Sequence, residues 1–207
     1  MQRVSAFIDG FNLYHALKAL RDNRLKWLDL HSLSNALVRP KSQQLTAVYY
    51  FSAYATWLPQ QAQRHAAYVT ALTARGVTPV MGNFKRKDRS CRSCGARWTG
   101  HEEKETDVNI ALRLLSEAED DTYDVALLVT RDSDIAPAVR MVRSRHPKRE
   151  IIVVAPPQAG HSTELIQAAT AKAKLTVDQV RRSLLPQVVR DVSGNVVATR
   201  PIKYDAA

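Results

Sequence analysis

A chain of 207 residues with 45% hydrophobic content can bury one sizeable core, and that apolar fraction excludes a disordered polymer. No run reaches the roughly 18 uninterrupted apolar residues of a membrane span, and the first residues enter a strand pattern without a charged, then apolar leader. The sequence therefore predicts a soluble, cytoplasmic protein, and its net charge of +10 favours a polyanionic partner through attraction and counterion release.

Taken in chain order, the first predicted strand is Val4 to Ile8, and it runs directly into a helical pattern over 11–20. The joint between them, "FIDGFNLYHAL", holds Asp9, Gly10 and Asn12 where the apolar run ends. Strand 45–51, helix 60–74 and strand 77–84 follow. Next comes a basic stretch, "KRKDRSCRSCGARWTGHEEK", containing Cys91-x-x-Cys94-Gly, the knuckle half of a zinc ribbon. "HEEKETDVNIALRLL" then places Glu102, Glu103, Glu105 and Asp107 at the start of a helix over 106–119. Strand 125–130 ends into "TRDSDIAPAVR", which carries Asp132, Ser133 and Asp134 into a helix over 134–145. Strand 151–155 and helix 162–171 close the alternating part, and a turn at Ser193-Gly194-Asn195 predicts a hairpin within 188–201. The expected division is a main domain over 1–172, with a basic 85–101 insertion, and a 173–207 extension made of a helix and a hairpin.

Strands alternating with helices predict an α/β fold, a mostly parallel central sheet with helices on both faces. Ligands of open α/β sheets bind beyond the carboxyl ends of the strands. Asp9, Asp107 and Asp132 reach that edge from three distant segments. Any one of them alone is explained as a helix N-cap, which stabilises by about 1 kcal/mol. Caps give no reason to converge, because two carboxylates about 4 Å apart at an effective dielectric of 20 repel by about 4 kcal/mol. A hard divalent cation supplies the reason.

The blocks "FIDGFNLYHAL", "EEKETDVNIALRLL" and "VTRDSDIAPAVR" resemble the three signature blocks of the NYN domain family, a branch of the PIN-like nucleases, over residues 3 to 170. The resemblance implies a Rossmann-like PIN fold and a ribonuclease that uses Mg²⁺ or Mn²⁺. By motif match it implies Asp9, Asp107 and Asp132 as the principal acidic residues and Asp134 as a fourth. It further implies that Asn12 and Ser133 orient ligands, waters or the scissile phosphate. The last block departs from the Gly-Asp-Ser-Asp-Phe common in the family, since Arg131 precedes Asp132 and Ile135 follows Asp134. Arg131 is placed either to clamp a phosphate or to project into solvent. The implied reaction is in-line attack of water on an RNA phosphodiester. An RNA-binding or regulatory protein on the same fold is the alternative. A phosphatase of the Asp-x-Asp type is disfavoured because the second aspartate is missing after strand one.

The basic stretch carries its own expectations. A structural zinc site needs four ligands, and the chain has two cysteines. Cys91 and Cys94, with His101 as the nearest third candidate, are read as a zinc site, a redox-sensitive pair or two unligated thiols, and a half-site leaves room for a homodimer. Lys85, Arg86, Lys87, Arg89, Arg92 and Arg97 surround Trp98, a combination of phosphate-seeking charge and stacking surface that suits single-stranded RNA. The plain alternative is a solvated basic loop. His15 and Tyr14 are assigned to packing or the helix surface.

Overall fold

A computed structural model describes residues 1–205. Nine strands are present among them: β1 Gln2–Asp9, β2 Gln43–Ala53, β3 Thr78–Ser90, β4 Arg97–Lys104, β5 Val125–Val129, β6 Glu150–Ala155, β7 Ala171–Lys174, β8 Val188–Arg190 and β9 Val196–Thr199. Seven helices join them: α1 Gly10–Ala19, α2 Leu30–Asn35, α3 Pro59–Ala74, α4 Thr106–Glu119, α5 Ala136–Arg145, α6 Thr163–Ala168 and α7 Val177–Arg182. The seven-stranded sheet has the order β4-β3-β2-β1-β5-β6-β7 and is parallel except for the β3–β4 pair.

The side chains of β1 and β5 sort by the period of two. Val4, Ala6 and Ile8, with Val125, Leu127 and Val129, face one core together with Leu13 and Leu17 of α1 and Leu72 of α3. Phe7, Ala126 and Leu128 face the other, where Ile110 and Leu114 of α4 and Val139 of α5 cover them. Both faces are thus covered, which is why the middles of these strands are apolar apart from Ser5. β1 is paired on one side to β2 and on the other to β5, so the winding direction reverses between β1 and β5. In an open sheet the carboxyl ends flanking such a reversal form a crevice. Asp9 and the residues after Val129 stand at its rim.

Three segments differ from the sequence expectation. Glu102 and Glu103 belong to β4 rather than to the helix start, because residues 85–104 fold as the arms of a β3–β4 hairpin that extends the main sheet. The stretch is therefore continuous with the sheet edge. α4 spans Thr106–Glu119 as expected, after Glu105 turns with a left-handed φ of 78°. Helix α2, which lies in the stretch before β2, has no counterpart in the predicted elements. The helix expected over 162–171 stops at Ala168, and Ala171–Lys174 becomes the outer parallel strand β7. The β8–β9 hairpin forms, and with Trp27 and Ala71 it buries Leu185, Val189 and Ala198 in a third, small cluster.

Gly82 is required where the hairpin meets α4. A Cβ there would lie 2.6 Å from the backbone carbonyl oxygen of Lys104. Only glycine lets β3 and the end of β4 come this close.

Candidate active site

The apolar β1 strand delivers Asp9 to the sheet edge with only 2% of its surface exposed. Its carboxylate accepts three hydrogen bonds: from the Asn12 amide at 3.0 Å, from Asn12 Nδ2 at 2.6 Å and from Thr130 Oγ1 at 2.8 Å. The first of these is an N-cap of α1, so the capping role is real. Burial pushes the Asp9 carboxyl towards its protonated form, the hydrogen bonds from Asn12 and Thr130 oppose this, and the neighbouring Asp132 adds to it. Thr130 also accepts from the Asp132 amide at 3.1 Å, which couples the ends of β1 and β5. Asn12 Oδ1 in turn accepts from the Arg131 amide at 3.3 Å.

Asp132 caps the short 3-10 turn that opens α5, accepting from the Asp134 amide at 2.9 Å. Asp107 projects from the first turn of α4. Glu103 stands in for the missing cap of that helix, accepting from the Thr106 amide at 3.1 Å and from the Thr106 hydroxyl. Asp9, Asp107, Asp132 and Glu103 all line one cleft of about 450 Å³ with Asn12, Thr106 and His15. Burial first, then the charges of Asp132, Asp9, Glu103 and Asp134, lift the Asp107 carboxyl to about 6. Three capping carboxylates and a fourth acid have thus been gathered against their mutual repulsion.

The donor set consists of hard oxygens, the type Mg²⁺ and Mn²⁺ take. Among the described residues, no three His, Cys, Asp or Glu side chains close on a common point tightly enough to enclose an ion by themselves. An open set of this kind suits Mg²⁺, which keeps waters and takes phosphate oxygens in its remaining positions. In chemical type and in crowding of like charge, the residues fit such a cation.

A family model described as NYN domain matches residues 3–175. The chain belongs to the NYN domain family. The mostly parallel sheet with helices on both faces is that of a PIN-like NYN domain. A relative, 6-hydroxy-3-succinoylpyridine 3-monooxygenase HspA of Pseudomonas putida (strain DSM 28022 / S16), is 30% identical over 230 residues. The match spans 90% of this chain and 71% of that protein. The crystal structure of a protein of unknown function from Vibrio parahaemolyticus RIMD 2210633 shares the fold, with a TM-score of 0.56 at 21% identity, covering 89% of this chain and 96% of that one.

Of the other predicted residues of the NYN domain, Glu102, Arg89 and His101 line the cleft, and the rest lie outside its lining. Asp134 and Ser133 are exposed, and Asp134 meets the site through its backbone amide on Asp132 and its charge on Asp107. Arg131 is exposed and contributes its backbone amide. Cys91 and Cys94 sit at the hairpin tip, where the Cys91 amide donates to the Ala96 carbonyl at 2.8 Å. A hydrogen bond from Ser93, then the Cys94 backbone, hold the Cys91 thiol down at about 6. His101 is not brought to them. It pairs with Arg86 in the ladder, five strand residues or about 16 Å from Ala96, and stacks on Trp57. Lys85, Arg86, Lys87, Arg89, Arg92, Arg97 and Trp98 are exposed along the hairpin, where Arg86, Arg89, Arg97 and Trp98 line a groove of about 590 Å³.

Several residues at or beneath the cleft escaped the sequence reading. Thr130 ended a strand inside the last signature block and was given no role, although a hydroxyl directly after a buried strand and two residues before Asp132 was a usable signal. His15 is exposed and on the cleft rim rather than packed, because α1 begins at the cleft and Phe11 and His15 are one turn apart. Phe84 and Thr106 depended on the hairpin being a hairpin.

Proposed function

We propose that this NYN domain is a divalent-metal-dependent ribonuclease that hydrolyses RNA phosphodiester bonds. The observation that carries the reading is the meeting of Asp9, Asp107 and Asp132 in one cleft at the winding reversal of a chain with net charge +10. Mg²⁺ or Mn²⁺ held by these three carboxylates would supply an activated water and neutralise charge on the phosphodiester. The chain's own residues do the positioning. Thr130 and Asn12 fix the Asp9 carboxylate through three hydrogen bonds, so that it needs no reorganisation when a charged ligand arrives. Exposed cations on the hairpin attract the polyanion and raise its local concentration. Cytoplasmic residence and a zinc knuckle at Cys91 and Cys94, completed by a second protomer rather than by His101, belong to the same reading.

The test is cleavage of single-stranded RNA by highly purified protein with Mn²⁺ or Mg²⁺, against EDTA and against Asp9→Asn and Asp132→Asn. Cleavage that needs the metal and is lost in both variants is the expected result. Equal residual activity in wild type and variants, with RNA binding intact, would leave the non-catalytic RNA-binding alternative. The identity to the Pseudomonas protein favours one further reading, ring hydroxylation of a pyridine. Such a reaction puts one atom of O₂ on the ring carbon that carries the succinoyl group, breaks the bond to that group, releases it as the aldehyde and reduces the other oxygen atom to water, with four electrons from an external reductant. Incubation with 6-hydroxy-3-succinoylpyridine, O₂ and a nicotinamide reductant, followed by chromatography of the pyridine, decides that reading.

A further inference from the structure

We propose that one unpaired nucleobase of the substrate lies against a wall of rings formed by Phe11, Phe84 and His101, with an adjoining phosphate on Arg89. The inference rests on the nuclease reading for the nature of the ligand and deepens it, since the strand in the cleft must then be single. Phe11, Phe84 and His101 line the same cleft as Asp9, Asp107 and Asp132. Phe11 meets Phe84 edge-to-face with centroids 5.6 Å apart, and Phe84 meets Trp57 edge-to-face at 4.7 Å. Trp57 stacks on His101 at 3.7 Å with the rings 4° from parallel. Trp57 is not in the cleft lining, so it braces the wall from behind.

Four separate elements, α1, the loop after β2, β3 and β4, supply one ring each. None of the four rings is buried in the three core clusters. A cleft that handled only phosphate and metal would have no use for this apolar side. A planar base does, because every base has a face to stack and a helical duplex hides it.

Arg89 places the phosphate. It lines both the acidic cleft and the basic groove of the hairpin. Its side chain lies across Gly100, where a Cβ would stand 3.1 Å from the Arg89 Nε. Arg86 and Lys87 are tied to Asp88 and Glu102, whereas among the described residues the Arg89 guanidinium has no ion pair or hydrogen bond. A strand following the groove passes Arg89 before its next base meets the wall.

Fluorescence anisotropy without divalent metal tests this using three labelled probes of one length: a single-stranded RNA, a strand of abasic ribose phosphates, and the RNA duplex. Wild type is expected to bind the intact strand about 5- to 150-fold more tightly than the abasic strand. Phe84→Ala and His101→Ala should erase most of that preference, while Arg89→Ala weakens both strands in parallel. Phe84→Leu keeps apolar packing without a ring face and should also lose the preference, which separates stacking from a folding defect. Equal affinity for intact and abasic strands, or a preference that survives Phe84→Ala and His101→Ala, overturns the proposal. Metal-dependent cleavage without the preference sinks this inference and leaves the nuclease standing. The preference without cleavage does the reverse.

Discussion

The carboxyl edge of the parallel sheet and the β3–β4 hairpin are adjacent and differ in nearly every physical respect. At the sheet edge, Asp9 is buried with three hydrogen bonds from Asn12 and Thr130, and like charges are held together by apolar strands beneath them. On the hairpin, basic side chains stand in solvent on a two-stranded ribbon, with ion pairs such as Lys87 to Glu102 at 2.9 Å that exchange with water. The first region is preorganised and acidic, and the second is adaptable and basic. Chemistry on a polyanion divides in this way because catalysis rewards fixed geometry and capture rewards long-range charge.

The largest expected effect tests whether the edge acts through charge or through capping. Asp132→Asn keeps a side-chain oxygen for the Asp134 amide, so the fold should hold while metal-dependent RNA cleavage falls by about 10²- to 10³-fold. Fluorometric kinetics on a quenched RNA, beside a melting curve, reads both. An unchanged rate would reduce the carboxylate to a cap.

Next in size is the joint between the regions. Gly82→Ala forces a Cβ to within 2.6 Å of the Lys104 carbonyl, and overpacking of this kind costs about 1–3 kcal/mol. Urea melts should show that loss, and cleavage should fall with it because Asp107 follows directly on β4.

The third prediction concerns pH in EDTA. Asp107 has its carboxyl lifted to about 6 from the ordinary 3.8, so the folded chain binds more protons than the unfolded chain between those values. Stability therefore declines as pH rises through this window. Asp107→Asn should flatten the decline in melting temperature, and a steeper decline in the variant would contradict the crowded-carboxylate account.

A smaller effect is expected on the hairpin. Replacing Lys85, Arg86 and Lys87 by Ala should reduce the slope of log affinity against log salt by about 0.7 for each phosphate no longer neutralised, with little change in melting temperature. An unaltered slope would remove these residues from the RNA path. The smallest effect is local to the tip. With the Cys91 thiol held down at about 6, its alkylation by iodoacetamide should level off above neutral pH, and Ser93→Ala should move the profile upward by removing the largest cause.

Much of the fold was legible from residue order. Val125 to Val129 throughout, and Val4 to Ile8 apart from Ser5, are apolar because both faces are covered, and such runs announce central parallel strands. The aspartates were visible because strands that end in Asp-Gly-x-Asn or Arg-Asp-Ser-Asp break the apolar pattern at the joint. The hairpin was not visible, because its arms are solvated and Lys, Arg and Glu carry no period against a core. Glu102 and Glu103 consequently looked like a helix start, and the ring wall built on Phe84 and His101 went unseen.

The sequence by itself determined the alternation of elements, the mostly parallel character of the sheet and the arrival of acidic residues at strand ends, since these follow from local periodicity and capping chemistry. Tertiary structure alone decided that Asp9, Asp107 and Asp132 share a cleft, that Thr130 locks two strand ends together, and that His101 stands with Trp57 rather than with the cysteines. The reason is physical: register across a hairpin and the direction of winding are long-range properties, and nothing within a few residues of His101 specifies what it will face.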